Sequence, residues 1–413
     1  MEHGNHTNCM KNKKSINMKK VLALGYIPKW KGGQQKTGLA TGLFDLHDAV
    51  NSLNEDIEVV IAATDIFQTE KRIDNTRVLG WSKITLLLTA ITHFYRLPKF
   101  IRKAYKMAKY KPTTSFSLML AKILFLDYAI TKEHPDVVHL HGCVYAMFRE
   151  AIWDKSVKIV LRIHGINGHD NTIAGHEQYR RMEQYITSLP FEFVTFVTGG
   201  ICEEWKEKYG TFNCPMIPLI NGYNAEVFYL PEEDVKKEYD LVTFSGLQER
   251  KGQDRVIKAL KKLKDEGTNL TYLVIGSGNK EYEELIRNLV QKWDLKVTFI
   301  SYLNQNELLP YLWKCRFFIL PSVTEGFGKV FVESAGAGVP VILPNTLPIV
   351  KEDDVMTSCN CVLTEDESVD SIYEVLSKLN IYSFRAEDVA QSVGHLKWSS
   401  LAKKYINLYN SLT

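Results

Sequence analysis

The stretch Pro321-Ser-Val-Thr-Glu-Gly-Phe-Gly-Lys-Val-Phe-Val-Glu333, continuing through Ser-Ala-Gly-Ala-Gly-Val-Pro340-Val-Ile342, decides how this chain folds. The apolar run Phe317-Phe318-Ile319-Leu320 ahead of it predicts a buried strand that stops at Pro321. A glycine-rich loop follows, and then apolar residues at helical spacing. Strand, glycine loop and helix N-terminus in succession make an anion pocket. The loop backbone can approach a ligand closely, and the first helical N–H groups have no partner within the helix. Two carboxylates bracket the turn. Glu325 lies in the loop, and Glu333 lies about a turn and a half into a helix that starts near Gly328.

An ionised carboxylate only accepts hydrogen bonds, which suits it to paired hydroxyls. The layout fits a ligand with hydroxyls at both ends and a diphosphate between them, as in a nucleotide sugar. A plain surface turn with two solvated glutamates would explain a lone Glu. It does not explain why the glycines, both carboxylates and the small-residue run Ala335-Gly-Ala-Gly338 occur in one block. This block resembles the Glu-x7-Glu signature of the retaining family 4 glycosyltransferases, which have the GT-B fold.

Working outward, short continuous apolar runs alternate with helical patterns along both halves of the chain. Val21–Tyr26, Glu58–Ala63, Val137–Leu140, Lys158–Ile163 and Phe193–Val197 read as strands in the first half, with helices at Thr37–Asn51 and Ser115–Glu133 between them. Residues 229–240 are charged and carry Pro231, as a linker would. Alternation then resumes, with strands at Leu241–Phe244, Tyr272–Ile275, Lys296–Ile300, Phe317–Leu320 and Val339–Leu343. The expected fold class is α/β: two facing Rossmann-like, doubly wound domains with a ligand cleft at the strand C-termini. Residues 18–228 form the first, acceptor-binding domain and 229–395 the second, donor-binding domain. Residues 1–17 read as a polar tail. The amphipathic segment 396–413 resembles the family's final helix, which packs back on the first domain.

Several other segments carry candidate chemistry. In Phe244-Ser-Gly-Leu-Gln-Glu-Arg-Lys-Gly252, Lys251 follows a strand and can neutralise charge on a departing diphosphate; a solvated Arg-Lys pair is the plainer alternative. The segment resembles the family's Gly-Arg-Leu…Lys-Gly loop. Lys251-Gly252 matches, but the loop arginine is missing, and Arg250 is the candidate for its place. Gly32-Gly33-Gln34 resembles the family's Gly-Gly loop, which puts Gly33 near the donor. Leu39 stands where a Walker lysine would be, which excludes that motif. Gly276-Ser-Gly278 reads as a structural turn. Leu161-Arg-Ile-His-Gly165 resembles the family segment whose histidine contacts the transferred sugar, and His164 takes that role by resemblance. Asn221-Gly222 matches a hinge strand, and Asn345-Thr-Leu-Pro-Ile-Val350 resembles a loop near the phosphates, with a phosphate contact from Thr346. Glu352-Asp-Asp354 reads as a solvated turn.

The resemblance implies a retaining, hexosyltransferase-type enzyme of cell-surface polysaccharide biosynthesis that uses a nucleotide-sugar donor and a saccharide or lipid-linked acceptor. The implied catalytic residues are Glu325, Lys251 and His164. The implied donor site is Gly33, Arg250, Lys251, Glu325, Gly326, Phe327, Gly328, Glu333 and Thr346. No cofactor and no metal are expected, since no Asp-x-Asp motif follows a strand in the first half. A non-catalytic nucleotide-sugar-binding subunit and a GT-B epimerase are the alternatives.

Composition sets limits. The 413 residues suit two domains, and 45% hydrophobic residues suffice for two cores. A formal charge of +3 gives no argument for a nucleic-acid partner. Seven scattered cysteines without a Cys-x2-Cys pair imply free thiols in a reducing cytosol. No run of 18 apolar residues predicts a membrane span. The segment Leu97–Pro112, basic and amphipathic and preceded by Ile84–Ile91, reads either as peripheral contact with the inner face of the plasma membrane or as an ordinary packed helix with a lysine-rich face.

Overall fold

The computed structural model describes residues 18–35, 37–53, 56–68, 70–110, 114–169 and 175–412. The expected polar tail 1–17 lies outside the described residues, as do Lys111, Pro112 and Thr413. Two sheets are built in chain order. The first is 8-stranded and comprises β1 (Lys19–Gly25), β2 (Ile57–Ala63), β3 (Glu70–Ile73), β4 (Thr76–Leu79), β5 (Val137–His141), β6 (Lys158–Ile163), β7 (Phe193–Phe196) and β8 (Met216–Pro218), arranged β3-β4-β2-β1-β5-β6-β7-β8. All its pairs are parallel except β3–β4. The second is 6-stranded and comprises β9 (Tyr239–Phe244), β10 (Tyr272–Ile275), β11 (Val297–Ile300), β12 (Cys315–Ile319), β13 (Val341–Pro344) and β14 (Cys361–Thr364), arranged β11-β10-β9-β12-β13-β14. This is the strand order of a dinucleotide-binding sheet, whose switch point falls between β9 and β12. The corresponding reversal in the first sheet falls between β1 and β5. The architecture is α/β with two parallel-sheet domains.

The strands form because both of their faces are covered. Leu22, Leu24, Val138 and Leu140 point into one core, and Val21, Ala23 and Val137 into the other. Around the second sheet, Val242, Leu273 and Phe318 pack on one side and Leu241, Tyr272, Val274 and Phe317 on the other. Helix Trp398–Asn410 buries Trp398, Leu401, Ala402, Tyr405 and Tyr409 in the core shared with helix Gly38–Leu53 of the first sheet. The chain enters it beside residues 221–223, where a Cβ on Gly222 would lie 2.6 Å from the Leu396 carbonyl oxygen. Tyr223 N–H donates to Leu396 O, and Trp398 N–H to Tyr223 O.

The two halves also meet at helix Gly199–Tyr209. Glu352 Oε1 accepts from Gly199 N at 2.6 Å and from Gly200 N at 3.3 Å, so a carboxylate on the second domain caps a helix N-terminus of the first. This corrects the expectation of a solvated turn at Glu352. Sequence periodicity does not show which exposed-looking acid will find orphan N–H groups on another domain.

Candidate active site

Both switch points open on one cleft of about 590 Å³. Lys29 and Trp30 after β1 and His164 at the end of β6 face it from the first sheet. Ser245 after β9, Ser277 after β10, Tyr302 after β11 and the loop after β12 face it from the second. Of the residues singled out from sequence, His164, Arg250, Lys251, Glu325, Gly326, Phe327, Gly328 and Glu333 all line it.

The loop after β12 is held by its own chemistry. Gly328 takes φ +76° as the N-cap of helix Lys329–Gly336, where a Cβ would also strike the Phe331 ring at 2.6 Å. A Cβ on Gly326 would sit 2.0 Å from the His164 carbonyl oxygen, so only glycine allows the two lobes this close. Glu325 is tied down twice: Ser322 Oγ donates to its Oε1 at 2.7 Å, and Lys251 Nζ pairs with the same oxygen. The pair is mostly buried, with side-chain exposures of 12% and 11%. Lys251 is placed by the short 3₁₀ turn Glu249–Lys251, which ends at left-handed Gly252. Arg250 donates to Thr324 O at 3.3 Å, so both cations of this turn border the loop that carries Glu325.

Glu333 is paired as well. Lys329, one turn earlier, reaches Glu333 Oε1 and Asp45 Oδ2 at 3.1 Å each. Burial works against charge on Lys329, but the carboxylates of Glu333 and Asp45 outweigh it and raise its pKa. Neither Lys329 nor Asp45 was singled out from sequence. A Lys-x3-Glu pair on one helix face was the available signal for the first, and an acid inside the apolar run Leu43–Leu46 for the second.

His164 is half-buried. Its loop is braced by buried Glu183, which accepts from Asn167 N at 2.8 Å, Gly168 N at 2.9 Å and Tyr209 OH at 2.7 Å. Behind it lie His141, His139 and His47, and burial, joined by the Arg162 charge, holds the pKa of all four below the usual histidine range. Nitrogens of His47, His139 and His141 lie within 4.8 Å of one another, which is the one grouping among the described residues that could hold a metal ion. Arg162 beside it would repel a cation, and no carboxylate belongs to the group.

Two expected donor contacts do not reach the cleft. Gly33 is absent from its lining: a Cβ there would lie 1.9 Å from the Ile27 carbonyl oxygen, so local packing demands this glycine, while Gln35 and Thr37 face the cleft instead. Thr346 is exposed and outside the lining, because the chain after β13 turns away toward helix Gly199–Tyr209. Gly276 and Gly278 follow β10, and the sequence assigned them a purely structural turn. A Cβ on Gly276 would lie 1.9 Å from Ser245 O and one on Gly278 2.2 Å from Leu247 O, and Gly276 also lines the cleft.

Residues 230–379 match the family model described as glycosyl transferases group 1. The fold is GT-B. The chain is similar in fold to sucrose-phosphate synthase from Thermosynechococcus elongatus, with TM-score 0.70, 16% identity and coverage of 95% of this chain and 99% of that one. It superposes equally fully on Anabaena HepE, solved with UDP and glucose, with TM-score 0.67, 14% identity and coverage of 95% and 100%. In sequence it is 29% identical over 170 residues to the O-antigen biosynthesis glycosyltransferase WclY of Escherichia coli, covering 41% of this chain and 45% of that one. The chain spans about half the length of the curated relatives it matches.

Proposed function

We propose that this protein is a retaining glycosyltransferase that moves a hexose from a nucleotide sugar to a saccharide or lipid-linked acceptor in polysaccharide biosynthesis. The observation that carries this is the Lys251–Glu325 pair at the β9/β12 switch point, inside the segment that matches the glycosyl transferases group 1 model. The likeness to a fold solved with UDP and glucose, and to an O-antigen glycosyltransferase, supports the substrate class.

Lys251, Arg250 and the N–H groups at the start of helix Lys329–Gly336 hold the diphosphate. Glu333 accepts from the ribose hydroxyls through the oxygen that Lys329 does not engage. Glu325 and the Gly326-Phe327-Gly328 backbone hold the sugar, with His164 opposite. When a nucleotide sugar binds, its diphosphate draws Lys251 off Glu325, and the freed carboxylate turns to the sugar hydroxyls. The sugar C1–O bond to phosphate breaks as the acceptor oxygen bonds to C1 on the same face. The acceptor proton passes to the departing phosphate oxygen. Lys251 and the helix amides stabilise the charge that develops there, so no metal is needed.

The acceptor side carries a membrane contact. Helix Lys83–Thr92 buries only Thr89 and turns Ile84, Leu87, Leu88 and Ile91 outward, and exposed Phe94, Tyr95, Ile101 and Tyr105 extend this apolar surface. Exposed Lys83, Lys99, Arg102 and Lys109 fringe it, which fits an anionic bilayer. Helix Leu97–Tyr110 is also a packed helix, since it buries Phe100, Ala104 and Met107. No described helix is long and apolar enough to cross a membrane.

A panel of nucleotide sugars screened by thermal shift in EDTA tests the function. At a hundred times Kd the right donor stabilises by about 2.7 kcal/mol. With acceptor extracts it should release the nucleoside diphosphate and give a product of unchanged anomeric configuration. Inversion, or silence from every donor, contradicts the proposal.

A further inference from the structure

His47, His141 and His164 form a file that runs from the core to the cleft. His47 Nε2 lies 2.9 Å from His141 Nε2, and His141 Nδ1 lies 3.2 Å from His164 Nε2. His47 and His141 are fully buried, while His164 lines the cleft. Both ring nitrogens of His141 therefore face another histidine nitrogen. The rings are kept neutral by burial and by the nearby Arg162 charge. A neutral imidazole has one N–H and one lone pair, so the direction of one link sets the direction of the next.

His47 Nδ1 decides the direction. It is buried and has no hydrogen-bond partner among the described residues. A proton there would be an orphaned buried N–H, whereas a proton on Nε2 leaves only a bare lone pair. For backbone groups an orphaned N–H is rarer than an under-satisfied acceptor, and the same preference applied to this ring puts its proton on Nε2. His47 Nε2–H accordingly donates to His141 Nε2. His141 must then carry its proton on Nδ1 and donate it to His164 Nε2, which leaves the His164 proton on Nδ1. That Nδ1 has no partner among the described residues.

We infer that His47 and His141 are positioning residues that lock His164 in the Nδ1–H tautomer, so that it meets the transferred sugar as a hydrogen-bond donor and not as a base. Only the identity of the group it meets rests on the proposed function. A sugar oxygen that must accept, rather than a hydroxyl that must donate, is thereby selected at this corner of the cleft.

Long-range proton–nitrogen NMR on the histidine-labelled full chain tests this, with His164 signals assigned through His164→Gln. The expected spectrum shows His164 protonated at Nδ1 alone near neutral pH. Protonation at Nε2, or at both nitrogens, overturns the inference. His47→Gln retains an N–H donor toward His141 and should keep the tautomer. His47→Glu, ionised beside the Arg162 charge, offers only acceptors and should reverse the file, moving the His164 proton to Nε2 with a roughly ten-fold loss of kcat/KM that the Gln variant largely rescues. If the Glu variant does not fold, the spectra of the wild type and the Gln variant still decide. A stoichiometric metal in the purified protein, bound by these histidines, also overturns it. Should no donor be turned over at all, the NMR result still judges the tautomer, and it is the proposed function that falls.

Discussion

Lys329 Nζ lies 3.1 Å from Asp45 Oδ2, and this contact ties the helix that follows the glycine loop to helix Gly38–Leu53 of the other sheet. The side chains are 7% and 2% exposed, so neither charge can turn to water if the other is removed. Lys329→Met should destabilise the protein by about 3–5 kcal/mol, since it strands Asp45 and Glu333 together in a buried site. Adding Asp45→Leu should recover part of that loss. Urea denaturation of the two single variants and the double variant measures the coupling, and additive losses would show that the pair does not join the lobes.

Gly326 sets how closely the lobes approach. Gly326→Ala places a methyl group 2.0 Å from the His164 carbonyl oxygen, so the cleft must open or the loop must shift. Gly165→Ala meets nothing closer than 3.7 Å. We expect the first to lower Tm and weaken donor binding at least about ten-fold, or about 1.4 kcal/mol, and the second to change Tm little. Equal effects from the two would refute the steric account.

Much of this was legible in the sequence. Strands such as Lys158–Ile163 and Tyr272–Ile275 show as continuous apolar runs because both of their faces are covered. The β3–β4 hairpin did not, because Glu70–Ile73 is an edge strand whose charged residues face water and carry no apolar run. At the site, Lys251, Glu325 and Glu333 were found through a local pattern. Asp45 was not, because its partner is 284 residues away in the chain. Gly33 lies outside the cleft lining, and a glycine that serves backbone packing looks, in sequence, like one that serves a phosphate.

The histidine file makes stability depend on pH. His47 is pushed down to about 3 by burial and the Arg162 charge, while an unfolded histidine titrates near 6.5. Between those values the unfolded chain binds a proton that the native protein refuses. This contribution is complete above about pH 6.5 and is lost on acidification, at up to about 1.4 kcal/mol per pH unit for each such histidine. His139, His141 and His164 shift in the same direction. Denaturation between pH 7 and pH 5 should show stability falling with pH, and His47→Gln should flatten the slope by about one proton. An unchanged slope in that variant would contradict a neutral buried His47.

The apolar surface on helix Lys83–Thr92 should bind vesicles that contain anionic lipid and release them as salt rises. Leu87→Glu with Leu88→Glu should abolish flotation and leave Tm unchanged, since both side chains are more than half exposed. Flotation that survives this double change would place the contact elsewhere.

In the proposed function, Lys251 and the loop bearing Glu325 and Glu333 grip a diphosphate without an ion. Calorimetric titration with UDP, GDP and ADP in EDTA measures this directly, using the wild type, Lys251→Ala and Glu333→Ala. At least one nucleotide should bind the wild type in EDTA and bind each variant at least about ten-fold more weakly, the loss expected for one charged contact. Binding that needs a divalent cation, or that is the same in all three proteins, would contradict it.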